Sequence, residues 1–293
     1  MSAIVNVMTV DVEEYFHASA FDRVVSRSSW ADRESRVVRC TEVLLECFDR
    51  ANLRATFFVL GWVAARFPQL VRDIATSGHE IASHGFHHQL IYMLTPEQFR
   101  EDVKRAKATI EDAAGCEVRG YRAPSFSIVR SALWALDVLI DEGYRYDASI
   151  FPIHHDRYGI ADAPRHAHVI ERQGGTIVEI PASTVRVGGR NLPIAGGGYF
   201  RLLPYEWTRS GLARVNREGE PVIFYVHPWE IDPEQPLIDI GRVATWRHRV
   251  GLARTLARLE QLCSDFTFGT IQSMLASQSR ADVPAMARCA YAK

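Results

Sequence analysis

The sequence predicts a single barrel-like α/β domain, in which helices cover a mainly parallel sheet. Strand-like and helix-like segments alternate about seven times along the chain of 293 residues, and no linker rich in Pro, Gly or Ser separates them. Polar side chains follow many of the strand-like segments directly. Because α/β barrels carry their active sites at the C-terminal ends of the strands, this placement favours an enzyme.

Short apolar runs rich in Val, Ile and Phe are typical of buried strands. We predict strands over 3–10, 55–60, 80–83, 118–121, 147–151, 176–180, 221–227 and 266–270. Helical spacing of apolar residues predicts helices over 35–51, 68–77, 96–114, 131–142, 205–218 and 243–263. The helix over 96–114 has the clearest ends, with Thr95 as a suitable N-cap and Gly115 as a suitable terminator.

We predict one domain over residues 1–276 and a loosely ordered tail over 277–293, where the alternation is lost. The formal net charge of −1 gives no electrostatic reason to expect a nucleic acid or an anionic membrane as partner. No segment reaches the roughly 20 apolar residues needed to span a bilayer. Nothing in the sequence indicates an oligomeric state.

The N-terminal segment has no basic region and runs directly into acidic residues, unlike a secretory signal. The five cysteines are an odd number without a Cys-x-x-Cys pair. Reduced thiols and a cytoplasmic location are therefore the expectation.

The segment Ser83-His84-Gly85-Phe86-His87-His88 has two imidazoles four residues apart, His84 and His88. If the segment makes a helical turn, both rings face one point, which is a spacing that chelates metal ions. Taken alone, the pair fits equally well with two partly exposed polar residues on a loop. The direction of His87 differs from that of both neighbours, so we expect it to face solvent or to support the ligands.

The acidic segment after the first predicted strand can supply a carboxylate ligand to complete a site with the two histidines. A catalytic metal site with two histidines needs a carboxylate and an open position. Asp11 and Glu13 point the same way on an extended strand, while Val12 points to the other face. One carboxylate then binds the ion, and the other takes a proton from the attacking water. An exposed, purely charged strand end is the alternative.

Five segments in this order resemble the motifs of the polysaccharide deacetylase family (NodB-homology, carbohydrate esterase family 4). They are Asp11-Val12-Glu13, His84-Gly85-Phe86-His87-His88, Arg122-Ala123-Pro124-Ser125-Phe126, Asp147-Ala148-Ser149 and Tyr225-Val226-His227. The resemblance covers about residues 5–230 and implies a distorted (β/α)7 barrel that hydrolyses acetyl groups on sugars with a metal ion. The later Gly196–Arg201 and His227–Glu230 segments are similar to a subgroup linked to bacterial exopolysaccharide and exosortase gene clusters, in which 230–276 would be a C-terminal extension.

The resemblance also implies a role for each matching residue. Metal ligands would be Glu13, His84 and His88, with Zn²⁺ as the expected ion and Co²⁺, Ni²⁺ or Mn²⁺ as alternatives. Asp11 would be the general base, Arg122 would orient it, His227 would be the general acid and Asp147 would favour its charged form. A backbone N–H near Ser125 would help to stabilise the oxyanion. The candidate substrate contacts are Pro124, Ser125, Phe126, Trp229 and Tyr199. For Trp229, stacking on a sugar ring and packing inside the protein fit the sequence equally well, and a tyrosine such as Tyr199 is more often a core residue.

The sequence departs from the family pattern at three positions. Val12 replaces the second of two adjacent aspartates, so Glu13, or Glu14 after a local twist, takes the ligand role; strand alternation favours Glu13. Gln89 follows His88 where proline is usual. Ser125 separates Pro124 from the aromatic Phe126. These changes alter the wall of the pocket more than the reacting groups.

Three functions follow as hypotheses. The first is a metal-dependent deacetylase of N-acetylated amino sugars in a bacterial polysaccharide or its precursor. The second is an allantoinase-like hydrolase of cyclic amides on the same fold. The third is a non-catalytic sugar-binding barrel. The intact set of Asp11, His84, His88 and His227 favours the first.

Overall fold

The structure is a computed structural model that describes residues 4–278, 286–289 and 291. The strands are β1 (Asn6–Val12), β2 (Thr56–Val59), β3 (Glu80–Ser83), β4 (Gly120–Tyr121), β5 (Tyr146–Asp147), β6 (His168–Arg172), β7 (Gly175–Glu179), β8 (Thr184–Val187), β9 (Arg190–Pro193), β10 (Ile223–Val226), β11 (Phe268–Gly269) and β12 (Ala287–Cys289). The helices are α1 (Val37–Arg50), α2 (Gly61–Arg66), α3 (Pro68–Thr76), α4 (Pro96–Ala114), α5 (Trp134–Asp141), α6 (Gly197–Leu202), α7 (Tyr205–Arg217), α8 (Arg242–Arg249), α9 (Leu252–Asp265) and α10 (Ile271–Gln278).

The central sheet has the order β10-β1-β2-β3-β4-β5-β7-β6-β12, with β11 paired to the start of β1. The strands from β10 through β7 all run parallel, and β6 is antiparallel to β7. Strands β8 and β9 form a separate hairpin. The predicted α/β class with a mainly parallel sheet is confirmed.

The sheet does not close into a complete barrel by strand pairing within the described residues. Between strands β7 and β10 the sheet has no strand, and the irregular backbone around Ser183 and Ala195 lies beside β10 instead. Ser183 N–H donates to the Ile223 carbonyl at 3.3 Å, and Tyr225 N–H donates to the Ala195 carbonyl at 2.7 Å. The backbone groups of β10 on this side therefore find partners without a neighbouring strand, as buried backbone groups must.

Strand β1 shows how alternation places the site. Val10 and Val12 are fully buried in the apolar layer that packs under the helices. Thr9 and Asp11 point to the opposite side, where both accept hydrogen bonds from Arg122. Period-two alternation thus sends the apolar residues to one layer and the chemistry to the other.

Helix α4 has the predicted bounds, and its ends explain why. Thr95 accepts a hydrogen bond from Gln98 N–H in a capping box, and Gly115 adopts a left-handed conformation with φ 70°. The helix predicted over 243–263 is instead two helices, α8 and α9, which are separated at Gly251 with φ 78°. That prediction of one continuous helix was wrong because a lone glycine inside an apolar pattern gave too weak a signal.

The predicted tail from Ser277 lies largely outside the described residues. Where the chain is described, α10 extends to Gln278 and β12 pairs in parallel with β6. The assignment of residues 1–276 to one domain stays a prediction. Among the described residues, no helix has the length and apolar character needed to cross a bilayer.

Replacing Gly120 by Ala is expected to destabilise the fold by about 1–3 kcal/mol, the usual cost of overpacking. A Cβ atom at Gly120 would lie 1.9 Å from the ring of Tyr146, whose hydroxyl donates to Glu80 at 2.8 Å. Urea unfolding of Gly120→Ala measures the loss. Gly198→Ala is the control, because its nearest contact would be an ordinary 3.8 Å; equal stability losses in the two variants would contradict the packing argument.

Candidate metal centre

The predicted catalytic residues lie at the C-terminal edge of the parallel sheet. Asp11 lies near the end of β1, His84 directly follows β3 and Arg122 directly follows β4. Asp147 ends β5, and His227 directly follows β10. The parallel order of these strands brings the five residues to one face of the sheet, as the sequence predicts.

Glu13, His84 and His88 form a buried cluster that could hold a metal ion. Their ligand atoms all lie within 4.8 Å of one another. His88 Nε2 is 2.6 Å and His84 Nε2 is 3.7 Å from Glu13 Oε2. Two imidazole nitrogens and a carboxylate oxygen are a donor set typical of catalytic zinc sites.

A hydrogen bond from its ring fixes the direction of His84. Its Nδ1 lies 2.9 Å from the backbone carbonyl of Arg122. Since a carbonyl oxygen only accepts, Nδ1 carries the proton and Nε2 presents its lone pair to Glu13. A bond of this kind at the second ring nitrogen is the usual support of a metal-binding histidine.

The loop between the two histidines is bent by unusual backbone conformations. Gly85 has φ 75° and His88 has φ 50°. Asp102 on α4 accepts hydrogen bonds from the N–H groups of Phe86 and His87 at 2.8 and 3.2 Å. A left-handed conformation costs energy in a histidine and is held by such surrounding contacts. The loop therefore turns His88 back toward His84 and leaves His87 outside the cluster.

Glu13 Oε2 is buried and accepts no hydrogen bond among the described residues. Burial acts to raise the pKa of Glu13, but His88, His84 and His227 together lower that pKa well below its usual value. A buried carboxylate oxygen without a donor is costly. The position of this atom between two imidazoles therefore fits a metal ion as its partner.

The alternative ligand, Glu14, is engaged elsewhere. Its carboxylate accepts a hydrogen bond from the Ser35 hydroxyl and two from the Arg36 N–H, at 3.0 and 3.2 Å. Glu14 thus holds the start of α1 and not the histidine pair. The strand alternation that favoured Glu13 agrees with this placement.

Asp11 forms a buried ion pair with Arg122. Arg122 Nη1 donates to Asp11 Oδ1 at 2.7 Å and to the Thr9 hydroxyl at 2.8 Å, and its Nε donates to the Ala148 carbonyl at 3.2 Å. The Arg122 guanidinium also lies 4.2 Å from the centre of the Phe58 ring. The ion pair fixes one carboxylate oxygen and leaves Oδ2 directed toward His227, whose Nε2 is 3.8 Å away.

His227 takes Glu230, and not Asp147, as its acidic partner. Glu230 Oε2 lies 2.9 Å from His227 Nδ1 and also accepts from the His227 backbone N–H at 3.0 Å. Burial acts to lower the pKa of His227, but Glu230, with Glu13 and Asp11, raises it to about 9. The predicted pairing of Asp147 with His227 is therefore corrected: the short His227–Glu230 segment supplies its own carboxylate.

Asp147 instead supports the loop that carries Arg122. Its carboxylate accepts from the Ser149 hydroxyl at 2.5 Å, and Ser149 Oγ accepts from the Ala123 N–H at 2.8 Å. Burial raises the pKa of Asp147 to about 6, and it raises the pKa of the adjacent Glu179 well above its usual value. Two neighbouring buried carboxyl groups disfavour the state in which both are ionised.

The predicted substrate residues occupy two different environments. Pro124 and Phe126 are buried, and the Phe126 ring packs 5.1 Å from Tyr225 and from Phe151. Ser125 has a left-handed backbone with φ 54°, and its partly exposed hydroxyl bonds that of Ser19. Tyr199 is partly exposed and bonds the side chain of Tyr158.

Trp229 is placed as a packing and anchoring residue. It is only 6% exposed, and its ring stacks 4.5 Å from His248 and 5.2 Å from His227. Its indole N–H donates to Glu13 Oε1 at 3.1 Å. These contacts support the packing role of Trp229, and a contact with substrate stays a prediction.

Glu230 and Arg201 also belong to the site, although the sequence did not predict either residue there. Arg201 Nε donates to Glu230 Oε1 at 2.7 Å, and both side chains are almost fully buried. One signal was available: a glutamate three residues after a histidine can reach back to its backbone N–H at the start of a helical turn. Arg201 gave no such signal, because its partner is 29 positions away.

Two family models divide the chain between them. Residues 21–146 match the polysaccharide deacetylase model. Residues 148–276 match a domain of unknown function. The boundary falls at Asp147, which neither match includes. The first match contains His84, His88 and Arg122, and the second contains His227 and Glu230. Asp11 and Glu13 precede both matches.

A curated relative is the peptidoglycan-N-acetylglucosamine deacetylase of Bacillus cereus, 30% identical over 98 residues, which are 33% of this chain and 36% of the relative. The chain therefore spans little more than a third of that relative's length.

Two solved structures share the fold. A proposed polysaccharide deacetylase from Mycobacterium smegmatis has a TM-score of 0.62 at 21% identity, with 98% of this chain and 97% of that chain covered. An allantoinase has a TM-score of 0.58 at 15% identity, with 96% and 86% covered. With the family match and the site geometry, residues 21–146 belong to the polysaccharide deacetylase family (NodB homology), and the chain continues through 148–276 as a domain to which no function is assigned.

Proposed function

We propose that this chain is a metal-dependent hydrolase that removes acetyl groups from N-acetylated amino sugars of a bacterial polysaccharide or its precursor. The observation that carries the proposal is the buried cluster of Glu13, His84 and His88 beside Asp11 and His227. The family match of residues 21–146 supports the same reaction.

The cluster suits one divalent ion, with Zn²⁺ preferred and Co²⁺, Ni²⁺ or Mn²⁺ as alternatives. Glu13, His84 and His88 would hold it. When bound, the ion would supply Lewis-acid polarisation of the amide carbonyl and promote deprotonation of water.

Asp11 is the proposed general base. Arg122 holds one carboxylate oxygen at 2.7 Å, so the other oxygen is free to take a proton from the attacking water. Transfer of that proton makes the water nucleophilic toward the acetyl carbon.

His227 is the proposed general acid. The C–N bond breaks only when the departing nitrogen gains a proton, because an amine anion is a poor leaving group. The side chain of His227 is 18% exposed, against 3% for Asp11, so it can reach a substrate while remaining near the cluster. Glu230 favours its protonated form. The backbone N–H near Ser125 stays the proposed oxyanion donor.

The substrate class is proposed from the Bacillus cereus relative, whose name specifies N-acetylglucosamine in peptidoglycan. Tyr199 and Ser125 are partly exposed and are the proposed sugar contacts. An exopolysaccharide or its precursor is the substrate proposed from the subgroup resemblance.

The allantoinase neighbour makes a cyclic-amide hydrolase the second candidate. Acetate release from chitooligosaccharides of two to six units, measured beside ring opening of allantoin, separates the two. We expect acetate from the oligomers and no turnover of allantoin. Ring opening without acetate release would overturn the deacetylase proposal, and binding of oligomers without either reaction would favour the sugar-binding alternative.

Trp229→Phe is expected to weaken metal binding about 10-fold to 100-fold, the usual effect of losing a hydrogen bond to a metal ligand. Phenylalanine keeps much of the stacking but cannot donate to Glu13 Oε1. Competition with a chromogenic zinc chelator measures the affinity. The control is Trp134→Phe, on helix α5 in the apolar layer; unchanged affinity in Trp229→Phe would show that the hydrogen bond does not orient Glu13.

A further inference from the structure

Within residues 148–276, a buried chain of charged groups leads away from His227. Glu230 Oε2 holds His227 Nδ1 at 2.9 Å, and Glu230 Oε1 accepts from Arg201 Nε at 2.7 Å. Each of the two carboxylate oxygens of Glu230 thus has an ionisable partner, one the Arg201 guanidinium and the other the His227 imidazole. Burial acts to raise the pKa of Glu230, but His227 and Arg201 lower that pKa to about 2.

Arg201 is itself fixed from the other side. Its Nη1 donates to the carbonyls of His248 at 2.6 Å and Val250 at 3.0 Å. These carbonyls lie at the end of α8, where the chain breaks before α9. A Cβ atom at Gly251 would lie 2.4 Å from the Arg201 carbonyl, so only glycine permits this close approach. The helix break that the sequence did not predict therefore supports Arg201.

This arrangement sets the direction of the His227 ring. Because Glu230 engages Nδ1, Nε2 is the nitrogen that faces Asp11 Oδ2 at 3.8 Å and Glu13 Oε1 at 3.9 Å. The stacked Trp229 ring, 5.2 Å away, limits rotation of the imidazole. A general acid works only when its proton points to the departing atom.

We propose that Arg201 and Glu230 are positioning residues for the general acid, and that residues 148–276 thereby supply the acid half of the active site. The inference rests on the proposed function. The region then completes the catalytic site and is not an independent module. Its Trp229 also reaches Glu13, on the metal side.

The experiment compares an amide with an ester whose departing group needs no proton. In amide hydrolysis, water oxygen bonds the acetyl carbon, the C–N bond breaks and the nitrogen takes a proton from His227. In 4-nitrophenyl acetate hydrolysis, the aryl oxide leaves as an anion. We expect Glu230→Gln to lower kcat for chitooligosaccharide deacetylation about 100-fold, within the usual range for general acid catalysis, and to change aryl acetate hydrolysis less than about threefold.

Arg201→Lys tests the second member with less risk to folding than an apolar replacement. Lysine keeps the charge but lacks the planar fork that joins Glu230 to two carbonyls. We expect a loss in amide kcat of about 10-fold, again with the ester rate retained and with metal content and KM unchanged. The matched control is Asp232→Asn, two positions from Glu230, which removes a partly buried pair with Arg36 at 2.8 Å.

The outcomes separate the two proposals. Equal losses of amide and ester activity in Glu230→Gln, or an amide loss as large in Asp232→Asn, would mean a structural role and overturn the inference. Full amide activity in Glu230→Gln and Arg201→Lys would also overturn it. A wild-type protein that cleaves the ester but no N-acetyl sugar would overturn the proposed function first, and the inference with it.

Discussion

His84→Ala is expected to abolish stable metal binding and to lower acetate release by on the order of 10³-fold or more, because loss of the ion removes several kcal/mol of transition-state stabilisation. His84 contributes one of three ligand atoms that lie within 4.8 Å of one another. With only Glu13 and His88 left, the site has too few ligands for a zinc ion. Metal content by mass spectrometry and acetate release from the same preparation measure the two effects.

His87→Ala is the matched control for that variant. His87 lies on the same loop, three residues along, but its ring is partly exposed and contacts Arg105 at 3.4 Å. We expect it to retain both metal and activity. Loss of the ion from His87→Ala, or full metal occupancy in His84→Ala, would show that the ligand set is wrong. Thermal unfolding of both variants separates local from global damage.

Asp11→Asn is expected to keep the metal and lose turnover by about 10²–10⁴-fold, the range for removal of a general base. Asparagine preserves the size of the side chain and still accepts a hydrogen bond from Arg122 Nη1. It cannot take a proton from water. Asp11 is not one of the three proposed metal ligands, so we expect the metal content to stay at the wild-type value.

Loss of the Asp11 charge also leaves Arg122 buried without its anionic partner, and removal of one partner of such a pair typically costs about 3–5 kcal/mol. Thermal unfolding and metal analysis must therefore accompany the rate. Asp162→Asn, which breaks an exposed pair with Arg130 at 2.5 Å, is the surface control. A folded Asp11→Asn protein with wild-type turnover would assign the base to another group.

Local chemistry explains which elements the sequence predicted well. Strand β3 has the predicted bounds, and helix α4 does too because Thr95 and Gly115 mark its two ends. Strands β4 and β5 are shorter than predicted. Their length depends on pairing with neighbours distant in sequence, which no local pattern contains. Strands β6, β8 and β9, at least partly exposed, were missed because their apolar alternation is weak.

In the candidate site too, local sequence patterns predicted some residues, and other residues depend on contacts that no local pattern contains. Alternation along β1 placed Asp11 and Glu13 on one face, and the spacing of His84 and His88 indicated a shared direction; the structure brings these side chains together. The partner of His227 could not be found from the family pattern, which pointed to Asp147. Glu230 is the acidic partner instead, because a 3-10 turn brings its carboxylate back to His227. The spacing of His227 and Glu230 indicated a bond to the backbone N–H, but the contact between Glu230 and the His227 ring appears only in the structure.

The central claim is that acetate release depends on an ion held by Glu13, His84 and His88, and a metal titration tests it most directly. The protein is stripped with a chelator, dialysed free of it and assayed on chitooligosaccharides as Zn²⁺ is added. We predict no acetate release from the stripped protein, and a rise that saturates near one ion per chain and is absent in His84→Ala. Full activity in the metal-free protein would contradict the account.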